Sequence, residues 1–369
     1  MLKKEKLLAI LRLQKTKTVG DILAKKLIAA TGDVTQIFEE KTSNLLKING
    51  IGTRITKELF DKKTQKLAEN ELEYITKNNI ATSYFLEDTY PKNLQQCIDS
   101  PILFFKDGNI NLNNDRIISV VGTRNMTSYG RDFCKEIIAD LKQYNPIIVS
   151  GFAYGVDICA HKEAVKNELQ TIAVLAHGFD QIYPKVHKKY INEVNENGGF
   201  FTEFWHDENP LRENFLKRNR IVAGVSQATI IIESAEKGGS LVTADIANSY
   251  SRDVFAVPGK TTDLFSKGCN QLIKNNKAAL LTSAEDIAKM LNWDLSQSKN
   301  PILKQQQLFI ELNDIEQKTY NYLLENGKRT LDVIAIDCVI PIYKLAPMLL
   351  QLEMKGVIKP LPGKLFEAI

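Results

Sequence analysis

The chain has 369 residues, of which 25% are charged and 44% hydrophobic, and its formal net charge is +4. This length predicts two or three domains, and the composition is that of an ordinary globular protein. The small positive charge excludes a nucleic-acid role that depends on overall charge alone, so such a role would have to come from local clusters of cations.

The five cysteines are scattered along the chain without Cys-x-x-Cys spacing. Such a set fits a reducing cytosol better than a disulfide framework or a zinc site. No apolar run approaches the length that crosses a bilayer, and the first residues form an amphipathic helical pattern instead of a signal sequence. We therefore expect a soluble cytoplasmic protein with no metal and no cofactor.

Residues 1–80 alternate short helical patterns with glycine turns, which predicts a small helical domain. Within it, the segment 46–53 resembles the hairpin of a helix-hairpin-helix motif, where glycines let a tight turn present N–H groups to a nucleic-acid phosphate. Gly50 and Gly52 could equally cap two packed helices, which is a purely structural role. Both interpretations stay open at this stage.

From residue 81 to residue 291 the pattern changes to buried strands separated by helical segments, a spacing typical of right-handed βαβ units. We therefore predict an α/β fold with a central doubly wound, Rossmann-like domain. The predicted parallel strands are 117–121, 147–149, 171–175, 199–201, 228–232, 254–257 and 278–281.

Glycine-rich or polar segments follow these strands at the points where the strands end. Parallel strands of an open sheet end at one edge, so these segments should converge on one crevice that is rich in backbone N–H groups and suits a phosphate. The segments are Gly122-Thr123-Arg124, Ser150-Gly151, His177-Gly178, Glu203 and Pro258-Gly259, with Gly238-Gly239-Ser240 at the start of the helix after strand 228–232.

The common nucleotide-binding motifs are absent from the sequence. The dinucleotide motif Gly-x-Gly-x-x-Gly does not follow the first strand, because Arg124 stands at the position of its second glycine. An arginine can hold a phosphate bidentately, but its bulk crowds the close backbone approach of a pyrophosphate. The missing dinucleotide motif disfavours hydride transfer. The Walker A and Gly-x-Ser-x-Gly motifs are also missing, which disfavours NTPase and serine-hydrolase chemistry.

Two pairs of ionisable residues could support catalysis, but a structural role is the better interpretation of each. Asp157 and His161 lie four residues apart on a predicted helix, with no third metal ligand in view, so we favour a capping or packing pair. Glu203 and Glu233 follow strand ends, where carboxylates commonly pair with arginines. We predict that the protein is not an enzyme.

Basic residues alternate with aromatic residues in two segments near the crevice, 183–190 and 215–220. Isolated basic runs are usually solvated faces. Cations along the backbone and rings under the bases are, however, the combination that single-strand binders use. These segments therefore favour a site for single-stranded nucleic acid.

The end of the chain has a different composition. Residues 292–313 are polar and contain three consecutive glutamines, which predicts a linker. Residues 314–369 predict three helices followed by two short strands around a glycine turn, the outline of a winged helix. The last helix carries few basic residues, so protein contact or packing is a better interpretation than reading of a DNA groove.

Seven motifs follow one another between residues 122 and 273. They are Gly122-Thr123-Arg124, Ser150-Gly151-x-Ala153-x-Gly155-Val156-Asp157-x-x-Ala160-His161, Tyr183-Pro184, Phe215-x-x-Arg218-Asn219-Arg220-Ile221-x-Ala223-Gly224, Gly239-Ser240-Leu241-x-Thr243-Ala244, Val254-Phe255-Ala256-Val257-Pro258-Gly259 and Gly268-Cys269-Asn270-x-Leu272-Ile273. Their order and content resemble the DNA-processing protein A family (DprA, also called Smf), strongly over residues 84–282. The helical N-terminal region and the winged-helix end also fit this family.

The resemblance implies a cytoplasmic homodimer that binds single-stranded DNA without sequence preference and loads the RecA recombinase, chiefly in natural transformation. The implied phosphate contacts are Arg124 and Lys188, supported by Arg218 and Arg220, with close backbone or hydroxyl contacts from Gly122, Thr123, Ser150, Gly151, Gly239 and Ser240. Phe179 and Tyr183 are the predicted stacking residues, and Lys185, Lys189 and Asn219 complete the predicted DNA-binding set.

Three positions depart from the family pattern: His177 replaces a common glycine, Gly238 a serine and His187 an asparagine.

Two other functions stay open. A nucleotide N-glycosidic hydrolase would use a loop with a proline and a Gly-Thr pair, and segment 236–241 lacks both. An adaptor would bind proteins through its terminal domains instead of DNA.

Overall fold

The computed structural model describes residues 2–293, 312–361 and 365–368. They belong to two compact units, one within Met1–Leu295 and the other within Ser296–Ile369. The predicted linker 292–313 falls almost entirely outside the described residues, and so does the predicted glycine turn at 362–364. The domain boundaries of the sequence analysis therefore stay a prediction.

The first unit begins with helices, as predicted. They are α1 (Lys4–Lys15), α2 (Asp21–Thr31), α3 (Gln36–Glu39), α4 (Thr42–Leu45), α5 (Thr53–Leu59) and α6 (Lys62–Lys77). Their apolar faces meet in a core that also contains Leu103, Phe105 and Trp205 from the following α/β region. The helical region therefore shares its core with the sheet. Gly50, in the predicted hairpin between α4 and α5, has φ +96°, a backbone conformation that favours glycine.

The strands of the first unit are β1 (Ala81–Tyr84), β2 (Leu103–Gly108), β3 (Ile117–Val121), β4 (Ile147–Ser150), β5 (Thr171–Val174), β6 (Gly198–Thr202), β7 (Ala228–Ile231), β8 (Asp253–Ala256) and β9 (Ala279–Leu280). Within residues 2–293 they form a nine-stranded sheet in the order β1-β2-β6-β5-β4-β3-β7-β8-β9. Strands β3 to β9 are parallel, and β1 and β2 extend the sheet in antiparallel fashion beside β6. Each predicted parallel strand is present within one residue of its predicted bounds.

Helices cover both faces of this sheet. They are α7 (Lys92–Gln95), α8 (Ser128–Leu141), α9 (Val156–Lys166), α10 (Ile191–Glu196), α11 (Arg212–Val225), α12 (Gly239–Ser249), α13 (Lys267–Lys274) and α14 (Ala284–Met290). Ile118 and Val120 of β3 pack with α8, α9 and α14, whereas Ile117 and Val121 pack with α11, α12 and α13 on the other face. Because both faces are covered, the parallel strands are continuous apolar runs. The predicted doubly wound α/β fold is confirmed.

The second unit contains α15 (Asp314–Asn326), β10 (Arg329–Thr330), α16 (Leu331–Asp337), α17 (Ile342–Met354), β11 (Ile358–Leu361) and β12 (Leu365–Ala368). The three predicted helices and two strands are present. The sequence did not indicate β10, whose two residues are too few for an alternating pattern and pair with β12. Among the described helices none is long and apolar enough to cross a membrane alone, although α16 and α17 pass that test together as a pair bent by 111°.

Candidate functional site

A cavity of about 770 Å³ opens at the carboxyl ends of β3, β4 and β7. The chain builds the sheet outward from β3 to β6 and then returns to place β7 on the other side of β3, so the strand order reverses there. Open α/β sheets bind ligands at this point. We call it the switch-point cavity. Its lining includes Gly122, Thr123 and Arg124 after β3, Gly151 after β4, Ser234 after β7, the first turn of α12 and one side of α11.

The first turn of α12 provides a backbone anion site. Gly238, the residue before the helix, has no side chain that could accept from the following amides, and the Ser240 hydroxyl donates to Ser234 Oγ at 2.9 Å instead. A Cβ atom on Gly239 would have no heavy atom within 4 Å, so this turn is open toward the cavity. Free N–H groups and the helix dipole together favour an anion here.

Exposed cations and two aromatic rings form the rim of the cavity. The cations are Arg124, Arg212 and Lys237. None of the three forms an ion pair with any residue that the structure describes. The Arg124 guanidinium lies 5.3 Å from the centre of the Phe215 ring, and the Tyr183 ring meets Phe215 edge-on with 5.4 Å between ring centres.

Arg218 places a fixed positive charge in the wall of the cavity. It is 4% exposed, and its Nη1 donates to the carbonyl oxygen of Val174 at 2.5 Å. Burial lowers the pKa of Arg218 to about 10, and nearby Asp157 opposes that shift, so the guanidinium stays charged at neutral pH. A Cβ atom on Gly151 would lie 2.1 Å from Arg218 Nη1, so only glycine leaves room for this side chain.

The structure brings most of the predicted contact residues together. The cavity lining contains Gly122, Thr123, Arg124, Gly151, Tyr183, Arg218, Asn219, Gly239 and Ser240. Lys185, Lys188 and Lys189 are exposed on the neighbouring 3-10 helix Lys185–Tyr190. Of these three, Lys189 lines a second cavity of about 630 Å³, whereas Lys185 and Lys188 line neither cavity.

Ser150 and Phe179 do not line the cavity. Ser150 is fully buried, and its hydroxyl donates to the carbonyl oxygen of Val120 at 2.6 Å. Phe179 is half-buried and packs against two hydrophobic clusters of the first unit. Both side chains are used by the fold, so we leave them out of the proposed contact set.

Arg220 is also directed away from the cavity. It is 8% exposed, donates to the carboxylate of Glu203 and lies 3.0 Å from Asp21 Oδ2 of α2. Glu203 itself is 4% exposed, and Lys217 Nζ lies 2.9 Å from the same carboxylate oxygen. The pairing of this carboxylate with an arginine agrees with the structural role favoured from the sequence. Arg220 therefore joins α11 to α2 and cannot contact a ligand in the cavity.

Arg212, Phe215 and Lys237 are cavity residues that the sequence analysis left out of the contact set. Arg212 and Phe215 are three residues apart at the start of α11, so they share a helix face. That spacing was a signal that could have identified Arg212. Lys237 precedes the Gly238-Gly239 pair and has no comparable signal in the sequence.

The remaining candidate catalytic groups have structural partners. Glu233 is buried, and its carboxylate accepts from the backbone N–H of Thr127 at 2.9 Å and from its hydroxyl, which holds the start of α8. Asp157 accepts from the backbone N–H of Ala153 at 3.3 Å. Within the described residues, no group of histidine, cysteine, aspartate or glutamate side chains could hold a metal ion.

His161 makes the stability of the first unit depend on pH. It is fully buried beside the Thr171 hydroxyl, and burial lowers its pKa from 6.5 to about 3. The unfolded chain takes up a proton at this residue below about pH 6.5 whereas the folded chain does not, so this contribution to stability is present above that pH and is lost as the pH falls. We expect the melting temperature of His161→Gln to fall less steeply than that of the wild type between about pH 6.5 and pH 4. Parallel melting curves across the pH series would contradict this.

The fold and the cavity together define a Rossmann-like protein with an anion site at the switch point and without the dinucleotide motif. Residues 81–292 match the family model of DNA recombination-mediator protein A, and residues 312–364 match that of the DprA winged helix domain. The chain belongs to the DprA/Smf family of DNA-processing proteins. The resemblance seen in the seven motifs is thereby confirmed.

Named relatives and solved structures agree with this assignment. The chain is 38% identical over 202 residues to DNA processing protein DprA of Streptococcus pneumoniae, covering 55% of this chain and 71% of the relative. It is 34% identical over 271 residues to the putative DNA processing protein DprA of Mycobacterium tuberculosis, covering 73% of this chain and 69% of the relative. The X-ray structure of the Streptococcus pneumoniae protein matches with a TM-score of 0.68 at 29% identity, covering 79% of this chain and 99% of that one.

A structure of DNA processing protein A from Helicobacter pylori, which concerns the single-stranded DNA binding mode of that protein, matches with a TM-score of 0.52. The two chains are 28% identical, and the match covers 58% of this chain and 95% of the other. The shared region therefore corresponds to nearly the whole of that structure.

Proposed function

We propose that this protein binds single-stranded DNA without sequence preference in the switch-point cavity. The observation that carries the proposal is the composition of the cavity. The open first turn of α12 lies beside the ring pair Tyr183 and Phe215 and beside Arg124 and Arg212, which have no ion-pair partner among the described residues. Cations and backbone amides contact phosphates, which carry no sequence information. Aromatic rings stack with unpaired bases of any identity, and bases in a duplex are not available for such stacking.

Arg124 favours a polynucleotide over a dinucleotide cofactor. The residue is exposed on the loop after β3, where dinucleotide-binding domains have a glycine against the pyrophosphate. Its guanidinium lies 5.3 Å from the centre of the Phe215 ring, so a phosphate that it contacts would lie beside a ring. Alternating phosphate and ring contacts suit a single strand.

We further propose that the protein acts in the cytoplasm as a homodimer, loads the RecA recombinase onto single-stranded DNA, and does so in DNA uptake and natural transformation. Family membership and the description of the matched family as a recombination mediator support this role. The proposed contact set is Gly122, Thr123, Arg124, Gly151, Tyr183, Arg212, Phe215, Asn219, Lys237, Gly239 and Ser240, with Arg218 acting through its charge.

RecA loading has a direct test. On single-stranded DNA covered by a single-strand binding protein, RecA filaments should form with a shorter lag when this protein is added, because a mediator supplies the nucleation step. The lag can be followed by the ATP hydrolysis of RecA. An unchanged lag, with DNA binding by this protein intact, would restrict its role to DNA binding.

We propose that the protein has no catalytic activity of its own. A nucleotide N-glycosidic hydrolase would need a free carboxylate in the cavity. Glu233, the candidate for it, is buried against Thr127 and does not line the cavity, and Asp157, which does line it, is buried and accepts from the backbone N–H of Ala153. Release of adenine from AMP by the wild type, and its loss in Glu233→Gln, would overturn this part of the proposal.

The second unit supports protein contact better than DNA contact. The exposed face of α17 carries Tyr343, Leu350 and Met354, and Lys344 is the one cation within Ile342–Met354. A recognition helix that reads a groove needs several polar or basic side chains on that face. We therefore assign DNA binding to the first unit.

A further inference from the structure

A second groove lies beside the switch-point cavity. It has a volume of about 630 Å³ and is lined by residues of the loop after β3, of α8, of α9 and of the 3-10 helix Lys185–Tyr190. Arg124 lines both this groove and the switch-point cavity. The two depressions are therefore neighbours that share one exposed arginine.

The second groove is strongly basic. Its lining contains five exposed cations, Arg124, Arg131, Lys135, Lys162 and Lys189, and the single carboxylate of Glu163. Lys135 has a weak partner in Asp132 at 3.7 Å, and Glu163 is 3.8 Å from Lys166 outside the groove. Arg131, Lys162 and Lys189 form no ion pair with any of the residues described. These charges are thus available to an anionic ligand.

Two tyrosines accompany the cations. The Tyr154 side chain is 44% exposed at the edge of the groove, where its ring meets His187 edge-on. The ammonium groups of Lys162 and Lys189 lie 5.4 and 5.1 Å from the centre of the Tyr190 ring. The groove therefore repeats the combination of cations and rings found in the switch-point cavity.

The groove differs from the cavity in one respect that bears on its ligand. The switch-point cavity contains the open first turn of α12, whereas the cations of the second groove are all carried by side chains. These exposed side chains come from four separate elements: the loop after β3, α8, α9 and the 3-10 helix. Such a surface suits a polyanion that passes over it better than a small phosphate held in place.

We propose that single-stranded DNA continues from the switch-point cavity over Arg124 into the second groove, so that the two form one binding track. The inference rests on the proposed function, because the first part of the track is the switch-point cavity. It predicts that the DNA footprint is longer than the cavity alone would give, and that the extra contacts are made with phosphates.

The test uses the full chain and oligo-dT of increasing length, from about 4 to about 16 nucleotides, the range of site sizes of single-strand binding folds. Wild-type affinity should rise with length and then level off. In the variant Arg131→Gln/Lys135→Gln/Lys162→Gln, affinity should level off at a shorter length. On the longest oligo-dT, the slope of log affinity against log salt concentration (the salt slope) should be smaller in magnitude than that of the wild type by about 2. This is the change expected for three lost phosphate contacts.

A matched control removes three exposed cations that line neither cavity: Lys267→Gln/Lys274→Gln/Lys289→Gln on α13 and α14. This control should keep the length dependence and salt slope of the wild type. If both triple variants lose affinity equally, or if the groove variant keeps the wild-type profile, the inference fails while the proposed function stands. If wild-type protein does not bind oligo-dT of any length, both fail together.

Discussion

Replacing Arg124 with alanine should weaken the binding of oligo-dT by about 10- to 150-fold, because a charge-assisted hydrogen bond contributes about 1.5–3 kcal/mol. The side chain is exposed, borders both cavities and is 5.3 Å from the centre of the Phe215 ring. Loss of one phosphate contact should also reduce the slope of log affinity against log salt by about 0.7. Fluorescence anisotropy of labelled oligo-dT at several salt concentrations gives both quantities.

Arg212→Ala provides an independent check of the same site. Arg212 was absent from the contact residues expected from the sequence, but it lies on the cavity rim. Its replacement with alanine should therefore reduce the slope of log affinity against log salt by about as much as Arg124→Ala does. Lys289→Ala is the matched control, because this exposed lysine of α14 lines neither cavity. A slope that stays unchanged in Arg124→Ala and Arg212→Ala would show that the site has been placed wrongly.

Replacing Arg220 with alanine should lower the free energy of unfolding of the first unit by about 3 kcal/mol, the lower end of the cost of breaking a buried ion pair. The variant leaves the buried carboxylate of Glu203 without its arginine, and removes the link to Asp21 on α2. We expect a loss at the lower end of this range because Lys217 still lies 2.9 Å from Glu203 and partly compensates its charge. Urea unfolding at neutral pH measures the loss.

The pH dependence of this loss identifies its cause. Burial already raises the pKa of Glu203, and Arg220 opposes that rise, so removal of Arg220 should raise the pKa further. Protonation of Glu203 then removes the uncompensated charge, and the destabilisation should shrink as the pH falls. Binding of oligo-dT by the folded variant should keep its wild-type salt slope. A stable variant with a reduced slope would instead make Arg220 a DNA contact.

The fold could be predicted from the sequence because its strands are buried on both faces. Each parallel strand is a largely apolar run, so the strand bounds followed from the pattern. The predicted segments after β3 and β4 and at the start of α12 line the cavity, whereas His177-Gly178, Glu203 and Pro258-Gly259 do not. The same argument gave Gly122, Thr123, Arg124 and the first turn of α12 as cavity residues. The local sequence pattern was sufficient to place a residue when its surroundings depend mainly on its own strand or helix.

The direction of individual side chains could not be predicted in the same way. Arg218 and Arg220 are two residues apart on α11, so they point to different sides of the helix, but the local pattern did not indicate which of the two faces the cavity. In the structure Arg218 reaches the cavity wall, whereas Arg220 points to Glu203 and to Asp21, which lies about 200 positions earlier in the chain. Ser150 similarly donates to Val120 on the neighbouring strand. Such contacts depend on tertiary packing between distant segments.

The measurement that tests the central claim most directly is a salt series of wild-type binding to oligo-dT and to a duplex of the same length. We predict tighter binding to the single strand at every salt concentration, with a log-log slope of about −0.7 for each phosphate contacted. The slope should correspond to at least two phosphates, since Arg124 and the first turn of α12 are two separate anion-binding elements of the cavity lining. Equal or tighter binding to the duplex, or affinity for oligo-dT that does not change with salt, would contradict the account.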